Sequence, residues 1–70
     1  MTSTEYIKSA VHNLINSLSE ARDDIEVIEL EAAKTHTLGV ITKASKIKFE
    51  LMVIQNHAEV LKQSIDDNLS

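Results

Sequence analysis

Lys34 to Lys43 read "KTHTLGVITK" and hold the only glycine of a 70-residue chain that contains no proline. Whether the backbone reverses here or continues as one rod decides the fold. On the amino side, apolar residues fall at Ile7, Val11, Leu14, Leu18, Ala21, Ile25, Ile28 and Ala32. Their steps alternate between four and three residues, the seam of a coiled coil. On the carboxyl side the same alternation passes through Val40, Ala44, Ile47, Leu51, Ile54, Ala58, Leu61 and Ile65. Extending the first tract past Ala32 requires apolar residues where Thr35, Gly39, Thr42 and Lys46 stand. The period breaks phase inside the quoted stretch.

One straight helix would carry two stripes rotated by about 100°. A reversal lets the stripes face each other. Pairing 7 with 65, 14 with 58, 18 with 54 and 32 with 40 sets seam against seam. Sizes then match: Ala21 faces Leu51, Leu14 faces Ala58, and Ile28 faces Ala44. Alternating large and small residues fills a helix–helix contact without voids. The expectation is an all-α fold, a single antiparallel two-helix hairpin of coiled-coil type. Helix one spans about 3–34, the turn about 35–39 and helix two about 40–67.

Local chemistry points the same way. "TSTE" reads as a capping box, with Thr2 as the cap and Glu5 reaching back. Lys34 and His36 sit where a helix carboxyl end favours positive charge. Gly39 can supply a left-handed residue to close the helix or turn. Glu26, Glu29 and Glu31 precede the turn and Lys43, Lys46 and Lys48 follow it, with Glu31 and Lys43 the expected cross-helix pair. The terminal "DDNLS" reads as a frayed end.

Composition bounds the class. Apolar residues make up 43% of the chain, yet Tyr6 and Phe49 are the only aromatics. The Gly, Pro, Asn and Asp clusters that separate strands are missing. A net charge of −4 opposes general attraction to nucleic acid or anionic lipid. The longest apolar run, "LMVI" at Leu51–Ile54, is far below the roughly 20 residues of a membrane span. "MTSTEYIKSA" lacks the basic and apolar regions of a signal peptide. With no cysteine to form a disulfide framework, a cytoplasmic protein is expected.

No catalytic, metal or cofactor constellation is legible. His12, His36 and His57 lack the spacing of a helical metal clamp, and His57 is instead expected to bond Ser17 across the hairpin. Asp23 and Asp24 are adjacent, so on a helix they diverge. "ARDDIEVIELE" reads as a solvated acidic face. The expectation is a non-enzymatic protein without a cofactor.

One pattern exceeds what a hairpin needs. Away from its seam, helix two carries Phe49, Met52, Val53 and Val60, with Asn56 interrupting the row. A helix apolar on two faces is buried on two sides, and helix one can cover only one. A two-helix unit of this size also needs support from a staple or a partner chain. Phe49, Met52, Val53, Asn56 and Val60 are therefore the candidate protein interface. Self-association is the first expectation: a homodimer forming a four-helix bundle, serving as an adaptor or regulator. A small chaperone holding a helical partner, such as a secretion-system subunit, is the second. In size and topology the hairpin looks like the paired-helix co-chaperones of type III secretion needle subunits. It is also similar to the Rop type of RNA-binding hairpin dimer, for which Lys43, Lys46 and Lys48 would be the basic cluster. Both are likenesses of architecture, without a residue motif. The smaller patch of Val27, Leu30, Leu38 and Ile41 reads as a cap for the end of the bundle.

Overall fold

The computed structural model describes residues 2–69 and consists of two helices packed side by side, α1 (Ser3–Lys34) and α2 (Leu38–Leu69). The chain is an all-α helical hairpin. Thr2 caps α1, its Oγ1 accepting from the Glu5 backbone N–H at 3.2 Å and donating to Glu5 Oε1 at 3.3 Å. The cap satisfies one of the four orphan donors at a helix start. At its far end α2 is helical through Leu69, two residues beyond the expected 67, and Ser70 of the terminal "DDNLS" lies outside the described residues. Asn68 Nδ2 donates to the Ser64 carbonyl at 2.7 Å, and Gln63 Nε2 to Asp67 Oδ1 at 3.0 Å.

The reversal is tighter than the sequence suggests, and a different residue makes it. His36 N–H donates to Ala33 O, and Thr37 N–H donates to Ala32 O. This is the Schellman closure, which requires a left-handed residue just past the helix end. His36 occupies that position with φ 56°, and no described glycine has positive φ. Gly39 lies instead in the first turn of α2. Helix two can start at Leu38 because the Thr37 carbonyl accepts from the amides of Val40 and Ile41, each at 3.1 Å. The Thr35 and Thr37 hydroxyls bond each other at 2.7 Å across the turn.

The seam partners Ile7 and Ile65, Val11 and Leu61, and Ala32 and Val40 share grooves, but the polar contacts across the hairpin fall a few residues beyond the constant-sum pairing. That pairing sets Arg22 against Glu50 and Glu29 against Lys43. In the structure Arg22 Nη1 donates to Gln55 Oε1 at 3.3 Å, and Glu29 takes Ser45 at 2.8 Å and Lys48 at 3.1 Å. Glu31, the residue expected to reach Lys43, pairs within its own helix with Lys34 at 3.1 Å. The physical reason is the lean of side chains toward the N-terminus of their own helix. In an antiparallel pair both leans move the meeting residues toward higher numbers, and long side chains extend the shift.

The hairpin is a single layer. Its Cα extents are 50 × 19 × 11 Å and its radius of gyration is 15.9 Å, against about 11 Å for a compact chain of this length. Among the described residues only Val11, Ala32, Ala44 and Ala58 are buried. No large side chain among the described residues is fully enclosed. The accessible surface of 5189 Å² exceeds by about 800 Å² that of a typical folded monomer of 7.8 kDa.

Candidate helix-docking surfaces

The sixteen seam residues divide into two sets that the structure treats differently. Val11, Leu18, Ile25 and Ala32 on α1, with Ala44, Leu51, Ala58 and Ile65 on α2, are buried or half-buried between the helices. The alternating members do not close on each other. Ile7, Leu14, Ile28, Val40, Ile47, Ile54 and Leu61 each keep 42–47% of their surface open. Ala21, the smallest of that set, is half-buried.

Helix geometry explains the division. The open set lies three residues beyond the buried one, about 60° to one side of it. Because the helices run antiparallel, that offset brings both open rows to the same side of the hairpin. Groove linings show the two helices sharing it. Ile7, Val11 and Leu14 face Leu61 and Ile65 near the open end. Ile28 and Ala32 face Val40 near the turn. The result is an apolar front face along the molecule.

The other side is closed by a row, polar at most positions, that lies four residues beyond the buried set. Lys8, Ile15, Arg22 and Glu29 on α1 are half-buried, as are Ile41, Lys48 and Gln55 on α2. Ser45 Oγ donates to Glu29 Oε2, while Lys48 Nζ approaches Oε1 as an ion pair outside hydrogen-bond angles. The Ser45 hydrogen bond first, then Lys48, holds the Glu29 carboxyl below the ordinary carboxylate range, against the opposing effect of desolvation. Arg22 links to Gln55 and, at 3.6 Å, to Glu26. This back ladder ties the helices together where the front leaves them apart.

Phe49, Met52, Val53, Asn56 and Val60 are all exposed, Phe49 and Val60 at 68% and 69%. Phe49 and Val53 border a shallow hollow with Glu50, Ile54 and His57. The row therefore begins at the edge of the front face and continues around the outside of α2. Val27, Leu30 and Leu38 are also exposed near the turn.

The remaining candidates stay dispersed. His12, His36 and His57 are exposed and lie on separate parts of the hairpin. No hydrogen bond joins His57 to Ser17 among the described residues, and both side chains are exposed. No group of three or more His, Cys, Asp or Glu among the described residues is placed to hold a metal ion. Of the basic cluster, Lys48 is engaged by Glu29, leaving Lys43 and Lys46 exposed. No described helix is long and apolar enough to cross a membrane.

Sequence reasoning missed the back ladder. Its signal is a row of complementary polar residues, Arg22 and Glu29 against Gln55 and Lys48, next to the buried apolar set. Comparison with protein families, curated proteins and solved structures finds no match for the chain.

Proposed function

We propose that the chain is a non-enzymatic helix-docking protein that self-associates through its front face and serves as an adaptor or regulator. Two hairpins meeting face to face make a four-helix bundle in which Ile7, Leu14, Ile28, Val40, Ile47, Ile54 and Leu61 become the centre of the core. The observation that carries this reading is the uniform opening of those residues along one side of a hairpin in which no large side chain among the described residues is fully enclosed. The stripe first expected to mediate self-association lies outside that face, so its use is a separate matter.

Sedimentation equilibrium at micromolar concentration tests the reading. A mass near twice 7.8 kDa is expected. A well-folded helical monomer at that concentration overturns it.

A second reading is favoured by the position of Phe49, Met52, Val53 and Val60. Front-face docking leaves this outer row uncovered, and a row of apolar residues at helical spacing suits a helical client. In this reading the dimer is a small chaperone or co-chaperone. Binding of an amphipathic helical peptide that is lost on Phe49→Asp, with the dimer mass unchanged, is the expected result.

A further inference from the structure

Two hairpins related by a two-fold axis can meet front to front in two ways. With the axis along the bundle, both turns lie at one end and α1 neighbours the partner's α2. With the axis across it, the turns lie at opposite ends, α1 beside the partner's α1 and α2 beside the partner's α2. We propose that the front face is occupied by a second copy of this chain with its turn at the opposite end. The inference rests on the reading of the front face as a self-association surface.

Charges along the rims of the groove separate the two arrangements. Ala10 and Glu31 line the front on the α1 side, and the same helical row contains Ser3, Ser17 and Asp24. Glu50 and His57 flank Ile54 on the α2 side, in a row that also contains Lys43 and Ser64. Acidic charge on the α1 rim is confined to the half near the turn.

With the turns together, Glu31 comes level with the partner's Lys43, but Asp24 comes level with the partner's Glu50. Each attraction is offset by a repulsion, and symmetry doubles both. With the turns apart, Asp24 and Glu31 come level with the partner's Ser17 and the partner's Ala10. Lys43 meets the partner's Ser64, and Glu50 meets the partner's His57. No like charges oppose each other. Rim charges of this kind select orientation more than they add affinity.

Length and area agree. The midpoint of α2 falls between Glu50 and His57, so this pairing superimposes the hairpins over their full 50 Å without overhang. The surplus surface of about 800 Å² per chain equals one partner's share of a standard interface.

The chain has no cysteine, so Lys34→Cys provides a single site for a nitroxide at the turn, on a residue that is exposed and outside the groove lining. Dipolar spectroscopy on the labelled dimer is expected to give a separation close to the 50 Å length of the hairpin. A separation under about 25 Å, set by neighbouring helix axes 8–10 Å apart plus the label arms, overturns the orientation and leaves self-association standing. No inter-chain coupling, together with a monomer mass, overturns both. Glu50→Lys gives a second measurement: it removes a carboxylate placed to accept a hydrogen bond from the partner's His57 imidazole and raises Kd. With the turns together it would instead face the partner's Asp24, so a fall in Kd overturns the proposal.

Discussion

Ile54→Ala separates the front face from the rest of the apolar surface. Ile54 keeps 46% of its surface open in the hairpin. Complete burial of such a side chain stabilises by about 1.5–3 kcal/mol, so covering the open half contributes roughly 0.7–1.4 kcal/mol per copy. A two-fold dimer uses the position twice. Truncating both copies therefore weakens association by on the order of 1–3 kcal/mol, about a 5- to 150-fold rise in Kd. Phe49→Ala is the counterpart. Phe49 is more exposed, at 68%, yet sits at the outer edge of the front face and outside the open row, so its loss changes the same Kd by less than about threefold. Sedimentation equilibrium across a concentration series measures both, and circular dichroism at high concentration confirms that helicity is retained. If Phe49→Ala weakens the dimer as much as Ile54→Ala, or if Ile54→Ala leaves Kd unchanged, the front face is not where the chains meet.

Three substitutions test the local structure by thermal or urea unfolding at fixed chain concentration, since association shifts the midpoint. Gly39→Ala is expected to stabilise by about 0.5 kcal/mol, because the position is helical and an added Cβ meets nothing within 4 Å; destabilisation would return the left-handed role to Gly39. His36→Gly is expected to stabilise by about 1 kcal/mol by relieving the left-handed strain at φ 56°, and a loss would argue against the Schellman closure. Glu29 has a depressed carboxyl pKa, so its contribution is present above the unfolded value near 4.5 and is lost as pH falls through the lower folded value. Glu29→Gln should therefore flatten the acid limb of stability against pH, and an unchanged limb would place the acid sensitivity elsewhere.

How much of this was legible depends on what each residue type can encode. The break of phase between Ala32 and Val40 was visible because apolar period is a one-dimensional signal, and it located the reversal. The identity of the left-handed residue was not, since glycine is the ordinary choice. Here the helix ends at Lys34, two carbonyls are satisfied by His36 and Thr37, and the strain falls on histidine. Exposure of Phe49 and Val60 followed from their spacing. The orientation of the seam did not. A four-three alternation states that two rows are apolar without stating which row the neighbouring helix takes.

Arg22, Glu29, Lys48 and Gln55 resolve that ambiguity. A two-helix contact is narrow, and whichever row lies beside the shared buried set at the interface excludes the other. Had the apolar row turned inward, Arg22 and Glu29 would have faced solvent and lost Gln55, Ser45 and Lys48 as partners. With the polar row turned inward, those partners are made and the apolar row is left open on one side. In an isolated hairpin that choice loses hydrophobic burial. It becomes favourable once something covers the open row, and under the proposed self-association the polar ladder keeps the two helices in register behind the docked face. Removing the ladder should consequently loosen the specificity of assembly more than its strength. Arg22→Leu with Gln55→Leu is expected to retain a helical oligomer but to give a mixture of masses in sedimentation velocity. A single unchanged species would show that the back of the hairpin plays no part in selecting the front.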